Sequence, residues 1–185
     1  MIENQTFTNL NQQSKWMKQY AGCTFSNCLL PDVNFSHIIF EDCRFDNCNL
    51  SNVKLGDTSF KNVTFNDCKM IGLQLSDCKT FLLEMHFANC QLDYCSFDSL
   101  NLKHSSFQSC SLIEADFSSA DLSKVVFNNC ELLRATFAQT TLKSTDFRSA
   151  SNYSFDPEIN TIDKAKFALP NVLGLLSKYN ITIQH

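Results

Sequence analysis

Ten cysteines, four histidines and nineteen carboxylate side chains are the groups in this 185-residue chain whose chemistry deserves testing first. Thiolates bind soft metals or exchange disulfides, and histidine beside a carboxylate supplies acid–base pairs. Spacing decides among these uses. Cys23, Cys28, Cys43, Cys48, Cys68 and Cys78 share one residue class modulo five, and Cys90, Cys95, Cys110 and Cys130 share another. Within them Cys28, Cys48, Cys68, Cys90, Cys110 and Cys130 form a single ladder. It reads either as a metal or redox wire, or as small, soft apolar filler in one repeated slot. The filler reading is favoured: the chain has no Cys-x-x-Cys, and no histidine falls in the ladder's register. His37, His86, His104 and His185 are scattered over different levels, with no His-Glu-x-x-His. Gly22, Gly56, Gly72 and Gly174 are isolated, so no glycine loop cradles a phosphate, and no Gly-x-Ser-x-Gly elbow occurs. The expectation is no catalytic residue, no metal site and no cofactor, hence no enzyme.

The elements that position the cysteines explain their spacing. A large apolar residue recurs every fifth position from Phe25 to Leu75, and, after a slip of two, from Leu82 to Phe147. Two residues before each lies a smaller one, mostly Cys, Ala, Val, Thr or Ser, and between them lie Asn, Asp, Ser and Lys. A period of five fits neither an α-helix nor a flat strand. It fits a coil that turns a corner every five residues, with two side chains inward and three outward. Every fourth large residue gives Phe25, Phe45, Phe65, Phe87, Phe107, Phe127 and Phe147, an unbroken phenylalanine column. Four sides therefore close a square coil of about twenty residues, stacked one strand spacing, about 4.8 Å, apart. The other columns run Leu30 to Leu132, Phe35 to Phe137, and Phe40, Phe60, Leu82, Leu102, Leu122 and Leu142. They stay in phase only if two residues loop out near Thr80–Phe81.

The predicted organisation is an N-terminal cap over residues 1–22, an all-β, quadrilateral parallel β-helix over 23–150, and a C-terminal segment over 151–185. Phe7, Leu10, Trp16 and Tyr20 anchor the first segment. After Phe147 the repeat fades, with Pro157 in a core slot, and Ile162, Ala165 and Phe167 return in frame. A short helix is expected from Leu169, with proline in its first turn, and Ile181–Ile183 reads as a short strand. Leu173, Leu176, Tyr179, Ile181 and Ile183 are the candidate contacts of a homodimer; the alternative is a monomeric cap.

A net charge of −4 argues against direct nucleic-acid binding. No stretch is apolar and long enough to span a membrane, and the first twenty residues lack the apolar run of a secretion signal, so a cytoplasmic location is expected. The coil arithmetic makes two adjoining sides acidic. Asp57, Asp77, Asp98 and Asp116 lie on the third side, and Asp93 and Glu114 on the second. They are the candidate partner-binding stripe, read either as an imitation of duplex nucleic acid or as solubilising charge. The fourth side is mixed and slightly basic, with Lys61, Lys79, Lys103, Lys124 and Lys143.

The runs Cys-Thr-Phe-Ser-Asn, Cys-Arg-Phe-Asp-Asn, Ala-Asp-Phe-Ser-Ser, Ala-Asp-Leu-Ser-Lys and Ala-Thr-Phe-Ala-Gln resemble the Ala-(Asp/Asn)-Leu-x-x pattern of the pentapeptide-repeat family, over about Cys23 to Ala150. That resemblance implies a right-handed quadrilateral β-helix. The break at Gly72-Leu-Gln-Leu-Ser-Asp-Cys and the tail Phe155-Asp-Pro-Glu-Ile-Asn, followed by an apolar helix, are similar to the subgroup of quinolone-resistance, mycobacterial fluoroquinolone-resistance and microcin B17 immunity proteins. The subgroup implies a tail-to-tail dimer that mimics DNA, binds DNA gyrase or topoisomerase IV, and protects it from poisons such as quinolones. The long projecting loops of many members have no counterpart here, so no loop residue is carried over. The alternative from a different class is a structural scaffold or adaptor with an unrelated protein partner.

Overall fold

Each corner of the coil needs a backbone that most residues avoid, and the sequence supplies side chains that tolerate it. Asn27, Asp32, Asp42, Asn47, Asn52, Asp57, Asn62 and Asp67 all have φ between 50° and 60°. Asn and Asp enter this left-handed region more readily than other non-glycine residues. Gly72 takes one such corner at φ 73°. At corners such as Leu30–Val33 the Val33 amide donates to the Leu30 carbonyl, with the positive φ at Asp32, the signature of a type II turn. The computed structural model in which these features are seen describes residues 1–169, 171–179 and 181–182.

Between corners the backbone pairs only with the coils above and below. On the first side Thr6–Thr8, Thr24–Ser26, Arg44–Asp46, Val63–Asn66, Met85–Ala88, Ser106–Gln108 and Phe127–Asn128 form a seven-stranded, all-parallel sheet. Its register sets Phe7, Phe25, Phe45, Phe65, Phe87, Phe107 and Phe127 opposite one another. Phe147 and Phe167 continue the column by stacking, 5.2 and 5.5 Å between centroids. The predicted column is present and one ring longer at each end. On the fourth side Ile2–Glu3, Gln19–Ala21, Ile39–Glu41 and Ser59–Lys61 form a four-stranded parallel sheet that sets Tyr20, Phe40 and Phe60 in register. The repeat's pairing thus reaches into the residues expected to form the cap. Trp16 closes the end, its ring 4.5 Å from Phe35 and 5.7 Å from Phe25.

The smaller inward slot has its own chemistry. The Thr58 hydroxyl donates to the Phe35 carbonyl one coil away at 2.8 Å, and Thr140 and Thr145 do the same to Phe117 and Leu122 at 2.9 Å. Thiols of Cys48, Cys68 and Cys90 occupy the same geometry toward Phe25, Phe45 and Phe65, at 3.3–3.4 Å. The slot therefore accepts a hydroxyl or thiol that donates to the neighbouring coil as readily as the purely apolar Val33, Val63 or Ala115.

The two-residue insertion lies where the frame slip placed it, but one assignment is corrected. Leu82 does not fill the fourth column. It sits at a corner with φ 56° and is 63% exposed, beside Phe81 at 73%, whereas Leu83 is 7% exposed and takes the inward position. Seven residues separate the inward Cys78 from the inward Met85 instead of five, and the excess leaves the coil through Thr80–Leu82. The fourth-side sheet accordingly ends at Ser59–Lys61, and bridges on that side resume at Asn101–Asp121.

Beyond Phe147 the coil tapers. Phe155 packs on Phe137 at 5.1 Å in place of the expected Pro157, which instead begins a 3-10 turn, Pro157–Ile159. Thr161 and Lys166 still bridge to Thr141 and Asp146. The terminal helix is a 3-10 helix over Asn171–Tyr179. Ile181 and Thr182 form no strand, contrary to the expectation, and Ile183 lies outside the described residues.

Candidate partner-binding surface

The six carboxylates of the stripe are carried by the rod in two groups of different character. Asp57 and Asp77 occupy the same corner, between the third and fourth sides, in successive coils; the Asp57 amide donates to the Asp77 carbonyl at 3.0 Å. Both side chains are exposed, and parallel coils hold them about one strand spacing apart. Above them the His37 ring lies 3.5 Å from the Asp57 carboxylate. Asp98 continues the row one residue short of the corner, accepting a hydrogen bond from Ser99 at 3.1 Å.

The other three are partly spent on the rod itself. Asp116 accepts from the Ser118 amide and hydroxyl, at 2.9 and 2.6 Å. Asp93 accepts from the Ser111 hydroxyl and the Ile113 amide. Glu114, on the corner between the second and third sides, is paired with Arg134 of the next coil at 2.6 Å. The structure therefore brings the exposed Asp57 and Asp77 together at one corner with the half-buried Asp98 beside them, while Glu114 is paired with Arg134 and Asp93 and Asp116 are half-buried turn acceptors. The Glu114–Arg134 pair was findable in the sequence, since twenty residues separate the two.

A more buried charge pairing lies on the first side. Asp146 is buried on the first side and bonded through both oxygens to Arg148, with Lys166 at 3.9 Å. The Arg148 hydrogen bonds hold its carboxyl below the usual carboxylate range against the opposing effect of burial. On the fourth side burial raises Asp121, but bonds from Lys103 and Ser123 outweigh it and leave the carboxyl below its ordinary value. Both carboxylates are ion-pair partners within the rod, Asp146 with Arg148 and Asp121 with Lys103.

All ten cysteines are free and buried. Burial pushes Cys95 up to about 12 and Cys43 up to about 11. Cys28, Cys68 and Cys130 are raised first by hydrogen bonds with neighbouring thiols and then by burial. Such thiols are poor nucleophiles at neutral pH. Among the described residues no group of three or more His, Cys, Asp or Glu is arranged to hold a metal ion, and no helix is long and apolar enough to cross a membrane.

At the C-terminal end the helix is clamped to the segment before it. Lys178 lies 2.6 Å from Asp156 and 2.7 Å from Glu158, and the Tyr179 hydroxyl donates to Glu158 at 2.8 Å. Leu175 is the residue it buries. In a 3-10 helix residues three apart eclipse one another, so Leu173, Leu176 and Tyr179 fall on one ridge. Leu173 is half-buried; Leu176, Tyr179 and Ile181 are exposed.

Comparison with known proteins agrees with this architecture. A family model described as a pentapeptide repeat region matches residues 19–85 and 81–152. Two solved structures of trypsin-treated QnrB1, a plasmid-mediated fluoroquinolone resistance protein, superpose on the chain. One has a TM-score of 0.59 at 15% identity, covering 99% of this chain and 97% of the other. The second has a TM-score of 0.51 at 17% identity, covering 100% and 91%. No curated protein matches the sequence.

Proposed function

Because this chain belongs to the pentapeptide-repeat family, we propose that it is a non-enzymatic interaction protein of the cytoplasm that binds a type II topoisomerase, DNA gyrase or topoisomerase IV, and protects it from poisons such as quinolones. The observation that carries the reading is the exposed acidic corner of Asp57 and Asp77, continued by the half-buried Asp98 and set on the rod at coil spacing. A rod with a row of carboxylates presents to a basic groove what the backbone of duplex DNA presents, a line of fixed negative charge. The full-length likeness in fold to a fluoroquinolone resistance protein is consistent with it. A homodimer through Leu176, Tyr179 and Ile181 would double the rod and match the two-fold symmetry of such an enzyme.

The test is a supercoiling assay with purified gyrase, with and without a quinolone. The expected result is relief of quinolone inhibition at micromolar protein, weakened by Asp57→Lys with Asp77→Lys. Unchanged activity and no binding would remove the reading. A second reading, an adaptor with an unrelated protein partner, is favoured by the internal use of Glu114, Asp93 and Asp116, which leaves the row short. It predicts a folded rod that leaves gyrase untouched.

A further inference from the structure

One groove among the described residues faces away from the stripe's second side. It is a groove of about 640 Å³ on the fourth side, lined by Lys103, His104, Ser123, Lys124, Lys143, Ser144, Asp163 and Lys164. The coil places these residues in two parallel rows. Lys103, Ser123, Lys143 and Asp163 form one, and His104, Lys124, Ser144 and Lys164 the other. Backbone bonds lock the levels: the Lys124 amide donates to the Lys143 carbonyl, and the Ser144 amide to the Asp163 carbonyl, both at 2.8 Å. The lysines therefore alternate from row to row, and the small serines between them leave the open space. Lys103 is paired with Asp121 at 2.7 Å. Lys124, Lys143 and Lys164 are exposed and make no ion pair among the described residues. A chain of net charge −4 thus gathers three lysines without ion pairs among the described residues, against the one carboxylate of Asp163, in a single groove.

We propose that this groove binds an extended acidic segment of a protein partner, lying along the rod axis with its carboxylates on Lys103, Lys124, Lys143 and Lys164 in turn. The spacing supports a linear ligand. Neighbouring lysines are one coil apart along the rod, about 4.8 Å, and one residue apart across it, about 3.8 Å, so their Cα atoms are about 6 Å apart. In an extended strand, side chains on one face recur at about 6.7 Å. Acidic residues at alternate positions would therefore meet the four lysines in sequence. The lysines are splayed over four coils and do not converge, which disfavours a single compact anion. No aromatic side chain lines the groove, so the stacking platform that holds single-stranded nucleic acid is missing. The site lies along the opposite edge of the fourth side from the Asp57–Asp77 corner and in later coils.

The test uses the full chain and a fluorescein-labelled decapeptide of alternating Glu and Ser, read by anisotropy. Saturable binding that weakens by about tenfold or more between low and 0.5 M salt is expected, because the contacts are solvent-exposed charges. Lys124→Glu with Lys143→Glu should lower affinity by about tenfold or more. Lys54→Glu with Lys69→Glu, on other sides of the rod, should change it by less than about twofold. Thermal melting checks that all variants are folded. The proposal is overturned if the peptide does not bind, if both pairs of variants lose affinity equally, or if a ten-nucleotide oligothymidine displaces the peptide at lower concentration than unlabelled peptide does.

Discussion

Gly174 lies against the Tyr153 carbonyl so closely that a Cβ at this position would collide with the carbonyl oxygen. The contact seats the terminal helix on the end of the coil. Ser154 adds to it by donating to the Gly174 carbonyl at 3.1 Å, and Asn171 by donating to the Ala150 carbonyl at 2.9 Å. Because the obstacle is backbone and not the tip of a flexible side chain, Gly174→Ala must move the helix or the chain beneath it. Overpacking of this kind costs about 1–3 kcal/mol. The expected outcome is a melting temperature lower by roughly 5 °C and faster proteolysis at the C-terminal end. Unchanged melting and protection would mean that the helix is not seated there.

The Lys178 clamp gives the same end a pH dependence. Hydrogen bonds from Lys178 hold Asp156 and Glu158 below their ordinary values. A carboxyl whose folded value is depressed contributes above its unfolded value and loses the contribution as pH falls through the folded one. The cap should therefore hold at neutral pH and loosen below about pH 4. Proteolysis of the tail across an acid series with an acid-tolerant protease checks this: Asp156→Asn with Glu158→Gln should remove most of the pH dependence. Equal acid sensitivity in that variant would place the cause elsewhere.

At the insertion, two adjacent leucines have opposite roles. Leu83→Ala should cost about 2–5 kcal/mol, the range for an aliphatic side chain removed from a core, while Leu82→Ser should leave chemical denaturation within about 0.5 kcal/mol of the parent. A reversal of the two would restore Leu82 to the fourth column.

That pair also marks where sequence reasoning stops. A five-residue period is a direct consequence of turning a corner every five residues, so the columns and the looped-out pair near Thr80 were legible. The choice between Leu82 and Leu83 was not. The slip of two can be taken up anywhere between Cys78 and Met85, and hydrophobicity does not distinguish two leucines. Phe7 escaped the column because the first coil departs from the twenty-residue spacing. Phe167 is in step with Phe147 and legible as a return to frame, although Pro157 and the polar run before it set it apart from the column. At the surface, signs of charge were legible side by side, and so was the Glu114–Arg134 pair, twenty residues apart. The groove that gathers Lys124, Lys143 and Lys164 was not, because it depends on the small Ser123 and Ser144 between them leaving open space.

Phe107 tests the column itself. Its ring is stacked between Phe87 and Phe127, each at 5.3 Å, with Phe97 and Phe117 edge-on at 5.7 and 6.1 Å. Neighbours fixed by backbone ladders on both sides cannot collapse into the space, so Phe107→Ala should cost about 3–5 kcal/mol. Equilibrium denaturation measures it, and a loss under 1 kcal/mol would mean that the rod relaxes around the gap.

The terminal ridge carries the last prediction. Leu176 and Tyr179 are 37% and 47% exposed, with Ile181 beyond them, and the Lys178, Asp156 and Glu158 charges lie beside them. Apolar residues at the centre with charges at the rim is the usual arrangement of a protein interface. Two copies joined end to end through this ridge would place their acidic corners on one doubled rod, related by a two-fold axis. Light scattering at tens of micromolar should give twice the mass of the 21.1 kDa chain. Leu176→Glu, and separately Ile181→Glu, should give the single mass with melting little changed, since both side chains are exposed within one copy. Both should also weaken relief of gyrase inhibition, because a single rod engages one half of a two-fold enzyme. A parent protein of single mass at these concentrations would refute the dimer and leave the helix as a cap on one end of the coil.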